Sequence, residues 1–102
     1  MSLNAWKIDK MNFIYFDFEY AVKEHDYIIE HSGGLTGAKD LGQLNAALDF
    51  VQDDIYYPNL EDKVSYLFYS INKNHAFNDG NKRSSIALSA YFLEINGLGY
   101  IA

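Results

Sequence analysis

Between His75 and Arg83 the chain carries an imidazole (His75), a carboxylate (Asp79), two side-chain amides (Asn78, Asn81), a glycine (Gly80) and two cations (Lys82, Arg83). It then runs into Ser84–Leu93, which reads as a helix. A helix start has unpaired backbone N–H groups and a partial positive charge. Gly80 lets the backbone turn tightly and approach a ligand without a Cβ in the way. The N–H groups from Gly80 to Arg83 can form a nest for an anion such as phosphate. Arg83 can add forked hydrogen bonds to the same oxygens, and Asn81 can donate an amide proton. Asp79 is a hard oxygen ligand: alone it repels phosphate, but with Mg²⁺ between them it becomes a bridge. His75 is the residue type suited to taking a proton at neutral pH. Phe77 reads as an anchor into the core. Each residue alone also has a structural reading. His75 could be a helix C-terminal cation, Asp79 and Asn81 could be caps, and Gly80 only a turn. The group in one frame is harder to explain that way.

The elements that must position this cluster come from a chain of 102 residues, read as one domain over 1–102. Hydrophobic residues make up 49% and aromatics 17%, enough for a packed core and too much for a disordered chain. With no cysteine there is no disulfide framework, thiolate metal site or thiol nucleophile. No apolar run has the length of a membrane span and no signal peptide is visible, so a cytoplasmic protein without membrane contact is expected. The net charge of -6 argues against nucleic acid as a partner, which needs a basic face. Arg83 is the only arginine, so Lys82–Arg83 reads as a local anion site in an acidic protein.

Along the chain, Met11–Phe16 is a short β-prone run, a strand or arm. Asp17 can cap a helix whose apolar stripe is Phe18, Ala21, Val22, His25, Ile28 and Ile29. His25 on that stripe reads as a core histidine rather than a catalyst, and His31 complements the dipole at the helix end. Gly33 and Gly34 terminate it. Gly33, Gly34, Leu35, Thr36 and Gly37 then form a turn or mobile flap; without a preceding strand or a GK[ST] ending it is not a Walker loop. Asp40, with Gln43 at the capping-box position, starts a helix buried through Leu41, Leu44, Leu48 and Val51. After a loop ending at Pro58, Asn59 caps a third helix with the stripe Leu60, Val64, Leu67, Phe68 and Ile71; Tyr66 and Tyr69 lie off its centre. The last helix, Asn81–Asn96, is apolar almost all round from Ile86 to Leu93 and is expected to be buried on every side. Gly97 stops it, and Leu98–Ala102 reads as a short edge strand. The expected fold class is all-α: a helical bundle around a central buried C-terminal helix, with minor β at the N-terminus.

His75-x-Phe77-x-Asp79-Gly80-Asn81-Lys82-Arg83 resembles the signature loop of the Fic/Doc (Fido) family, HxFx[DE][AG]N[GK]R, at every defined position. Upstream, Gly33-Gly34-Leu35-x-Gly37-x-x-Asp40-x-Gly42-x-Leu44 is similar to the Doc-type (death-on-curing) arrangement, so the resemblance runs from about Phe18 to the chain end. It implies a helical Fido fold that uses ATP and Mg²⁺ to modify a protein hydroxyl. His75 would be the general base, Asp79 the metal ligand, and Gly80, Asn81, Lys82 and Arg83 the nucleotide and phosphate site. Phe77 would anchor the motif, and Gly33 to Leu44, with Gly33–Gly37 at its centre, would be the flap that aligns the target. AMP-transferring members usually carry glycine at the position of Lys82 and proline at that of Ala76. Lysine is the Doc pattern, which implies a reversed nucleotide and γ-phosphate transfer to a Ser/Thr hydroxyl. The alternatives are AMP transfer or a non-catalytic nucleotide- or partner-binding module.

Two departures from the family pattern stand out. The sequence ends at Ala102, where Doc-like proteins usually continue with further helices. The family's inhibitory motif [ST]xxxE[GN] occurs nowhere in it. Inhibition is therefore expected from a separate antitoxin, a small Phd-like protein, in a toxin–antitoxin pair. The family-typical target is a translation elongation factor such as elongation factor Tu.

Overall fold

The computed structural model describes residues 6–8 and 13–98. Strands β1 (Trp6–Ile8) and β2 (Ile14–Phe16) pair antiparallel, with Trp6 opposite Phe16. Four helices follow: α1 (Phe18–Ser32), α2 (Leu41–Phe50), α3 (Leu60–Asn74) and α4 (Asn81–Leu93). A wider, π-type turn over Glu94–Leu98 completes the described chain. The β-prone run is a strand in its second half, while Met11 and Asn12 lie outside the described residues. So does the expected edge strand beyond Leu98. The partner strand β1 was not foreseen.

Three helices start on the side chains expected of them. Asp17 accepts from the Tyr20 N–H at 2.9 Å, Asp40 from Gln43 at 3.3 Å and Asn59 from Asp62 at 2.9 Å. α1 ends on Gly33 (φ 85°), whose N–H donates to Ile29 O. α4 differs: Gly80 precedes it and no side chain caps it.

α4 packs chiefly on α3, and also on α1 and β2; α2 lies on α3. The core joins Tyr15, Phe16, Ala21, Leu44, Leu48, Leu67, Ile71, Phe77, Leu88 and Phe92. Two expectations need correcting. Phe68, placed on the buried stripe of α3, is exposed, and α4 is not buried on every side, since Ile86 is 50% exposed and Ala90 faces solvent. The α3–α4 seam is centred on Leu67, Ser70 and Ile71 against Ser84, Ser85 and Leu88, all buried. Phe68 and Ile86 each sit one residue, about 100°, round from that seam. The serines, not the apolar residues alone, form the buried side of α4.

α4 also ends earlier than expected. Asn96 leaves the regular helix and uses its amide as a strand would, accepting from Ile14 N–H and donating to Ile14 O, both at 2.8 Å.

Lys63 was not foreseen in the core, yet it is fully buried. Its ammonium donates to Val51 O at 2.9 Å and lies 2.8 Å from Asp54 Oδ1 and 5.1 Å from the Phe13 ring centre. The contact to Asp54 is one of charge rather than an aligned hydrogen bond. It ties the end of α2 and the following loop to α3. Removing one member of a buried pair strands the other, at about 3–5 kcal/mol. Lys63→Ala is therefore expected to lose about that much stability in urea unfolding, and the double variant Lys63→Met/Asp54→Ala much less.

Candidate functional site

The site is the turn that joins α3 to α4. His75 ends α3 in the left-handed region (φ 51°, ψ 53°), the one non-glycine residue with positive φ among those described. Histidine tolerates this region better than most side chains. The chain then dives inward. Ala76 and Phe77 are buried, and Ala76 O accepts from both Lys39 N (2.8 Å) and Asp40 N (3.0 Å). The Asn81 amide reads both polar groups of Phe77, with Phe77 N donating to Oδ1 at 3.1 Å and Nδ2 donating to Phe77 O at 2.9 Å. His25 lies flat on the Phe77 ring, centres 3.6 Å apart and planes 5° from parallel. Its Nε2 is 2.7 Å from Asp79 O. Gly80, at φ 77°, then turns the chain into α4, and Ser84 N donating to Gly80 O at 2.9 Å begins the helical ladder.

A cleft of about 370 Å³ opens over this start. His75, Asp79, Gly80, Asn81, Lys82 and Arg83 line it, together with Asn72 and Asn78. The structure thus brings all the predicted residues of the motif to one place except Phe77, which is buried as its anchor role requires. Asn81 departs from expectation. Its side chain is buried and committed to the Phe77 backbone, where the sequence reading has it donating to an anion. What it offers an anion is its main-chain N–H.

The flap departs too. Gly33–Gly37 is exposed but latched to the motif rather than free. Asp79 Oδ2 accepts from Leu35 N–H at 3.1 Å, and Arg83 donates to Gly33 O at 3.0 Å. Asn78 donates through Nδ2 to Thr36 O at 3.0 Å and through its main chain to Gly37 O at 3.1 Å. A Cβ on Gly34, at φ 127°, would come within 2.8 Å of Asp79 Oδ2 and 3.0 Å of an Arg83 guanidinium nitrogen. Only glycine allows so close an approach. Asn72 and the contacts of His25 escaped the sequence reading, and Asn78, counted there among the amides of the cluster, was given no role; the signal present for His25 was a histidine on an apolar stripe.

The electrostatics favour a charged Asp79. The N–H groups of Leu35 and Gly80 donate to its carboxylate, and Arg83 and His25 add positive potential, holding its carboxyl below the usual range. Among the described residues no three His, Cys, Asp or Glu side chains converge. The donor set at this cleft is therefore one half-exposed carboxylate beside open N–H groups. That suits Mg²⁺, which takes one or two carboxylates and completes its shell with phosphate and water.

The profile of the Fic/DOC family matches residues 15–93. The chain belongs to the Fic/DOC family. Its four helices are the all-α Fido fold. "Toxin Doc" of Mycolicibacterium smegmatis (strain ATCC 700084 / mc(2)155) is 43% identical over 70 residues, which cover 65% of this chain and 54% of that protein. "Protein kinase doc" of Escherichia phage P1 is 33% identical over 84 residues, which cover 78% of this chain and 66% of that one. The chain thus spans about half the length of the first relative and 66% of the second. No helix among the described residues is long and apolar enough to cross a membrane.

Two outcomes follow for this Fic/DOC loop. Asn81→Ala strands the Phe77 N–H and C=O, a loss of about 1–3 kcal/mol in denaturant unfolding. The Asp79–Leu35 bond depends on pH in a defined direction. A depressed carboxyl keeps its stabilising charge above its unfolded value and loses it as pH falls through the folded one. The Leu35 amide resonance should titrate with a midpoint below the ordinary carboxyl value of 3.8, whereas Asp79→Ala should shift it at every pH.

Proposed function

We propose that this chain is a Doc-type toxin that transfers the γ-phosphate of ATP to a Ser/Thr hydroxyl of a target protein. The observation that carries the reading is Lys82, whose exposed side chain stands on the cleft at the uncapped start of α4. A lysine there adds charge and bulk where AMP-transferring relatives have glycine, which favours a nucleotide entering terminal phosphate first. The name of the phage relative, a protein kinase, agrees with this.

In this reading the γ-phosphate sits against the N–H groups of Asn81, Lys82 and Arg83, where the helix start favours negative charge. The Arg83 guanidinium exchanges Gly33 O for a phosphate oxygen. Asp79 is the residue that would hold Mg²⁺, and the ion would screen the carboxylate from the phosphates. His75 takes the proton of the target hydroxyl as its oxygen bonds to the γ-phosphorus. The bond from that phosphorus to the β–γ bridging oxygen breaks, and ADP leaves with the electron pair. Catalysis of this kind is positioning and charge stabilisation more than covalent chemistry. The flap Gly33–Gly37 aligns the target chain beside the cleft. A translation elongation factor such as elongation factor Tu is the target the family suggests, with arrest of translation as the result. A small Phd-like antitoxin would hold the toxin inactive, and both would act in the cytoplasm.

The test is transfer from ATP labelled at the γ or the α position into purified elongation factor Tu and into cell lysate. Label is expected from the γ position alone, lowered by about 10²-fold or more in His75→Ala. Arg83→Ala should weaken binding of Mg·ATP by calorimetry. Label arriving from the α position would replace phosphate transfer with AMP transfer. Binding without any labelled product would leave a nucleotide-binding module.

A further inference from the structure

We infer that His25 is a positioning residue for the signature turn: it holds the Asp79–Gly80 peptide so that its N–H faces the cleft. Four observations bear on it. The ring is fully buried although it belongs to α1, and its Nε2 meets Asp79 O across 54 positions of sequence. A backbone carbonyl can only accept, so Nε2 carries the proton in this contact. The Asp79–Gly80 peptide is trans, so its C=O and N–H point in opposite directions. Fixing the carbonyl inward on His25 therefore turns the Gly80 N–H outward, where it donates to Asp79 Oδ1 at 2.8 Å. One hydrogen bond thereby orients both the carboxylate expected to hold the metal and the residue that opens α4.

The ring is itself fixed on three sides. Phe77 covers one face at 3.6 Å, and Asp26 Oδ1 lies 3.2 Å from Nδ1. Gly80 lies on the third side: a Cβ there would meet Nε2 at an ordinary 3.4 Å contact and clash at 2.9 Å with Ile29 Cδ1. Both ring nitrogens thus face acceptors, and the ring plane is set by stacking. A core histidine chosen for its volume alone would not need the aligned carbonyl.

The inference rests on the transfer reading only for its kinetic arm; its structural arm does not. Two variants separate donor from volume. His25→Phe keeps a flat ring for Phe77 but has no donor, and His25→Gln has an amide that can replace Nε2–H. In ¹H–¹⁵N spectra the Gly80 amide should move in His25→Phe and return close to its wild-type position in His25→Gln. With ATP and target, kcat should fall roughly 10²-fold in His25→Phe, the scale of a misplacement near 1 Å, while KM for ATP changes little. His25→Gln should recover most of kcat. A Gly80 amide unmoved in a folded His25→Phe overturns the inference. So does a His25→Gln that is as impaired as His25→Phe while melting like wild type. If His25→Phe does not fold, His25→Gln decides alone: a wild-type Gly80 resonance supports the inference and a displaced one overturns it. If the wild type transfers no phosphate, the transfer reading fails and the Gly80 resonance still tests His25.

Discussion

The turn from α3 to α4 must satisfy its own buried polar groups while leaving the start of α4 free. Buried N–H and C=O groups need partners, and a helix start normally takes a side-chain cap. Here the accounts of the turn close without one. Ala76 O is taken by Lys39 and Asp40, both polar groups of Phe77 by Asn81, Asn78 N–H by Gly37 O and Asp79 O by His25. Gly80 N–H goes to the Asp79 carboxylate. The partners come from α1, from the flap and from α4 itself. The first turn of α4 is thus left uncapped on the cleft, and its positive end remains available to an anion.

The same turn needs the chain to reverse twice, and both reversals use left-handed backbone, at His75 and at Gly80. For Gly80 this costs little. For His75 it costs roughly 1–2 kcal/mol that an asparagine or glycine would reduce. The position holds an imidazole on the cleft instead, where strain tends to collect at functional sites. The flap answers the charges this creates. Asp79 and Arg83 would otherwise face solvent 3.9 Å apart, and each takes a main-chain group of the flap as a partner.

What the sequence made legible were features fixed by near neighbours. The caps at Asp17, Asp40 and Asn59 each bind three residues ahead, and the stop at Gly33 is equally local. The motif was legible as a group because its residue types share one chemistry. The rest depended on which distant segments meet. Asn81 has the atoms to bind an anion or to clamp a backbone, and only the proximity of Phe77 O and N decides between them. Lys63 looks like a solvated charge until α2 and its loop bring Val51 O and Asp54 to it. Periodicity put His25 in the core correctly but said nothing of Asp79. Phe68 and Ile86 show the other limit: an apolar pattern gives a face, and the width of the seam comes from the partner helix.

The pairing of Asn96 with Ile14 joins residues 82 apart in sequence. It turns an open run of helices into a ring, with the strand at one end fastened to the turn at the other. The entropy lost in closing a ring grows only with the logarithm of its length, and the Asn96 amide adds two hydrogen bonds to the packing of Tyr15 and Phe16 on Phe92 that already closes it. Strand β2 and the turn over Glu94–Leu98 are thereby tied to each other. A fault in β2 is passed to the turn that follows α4.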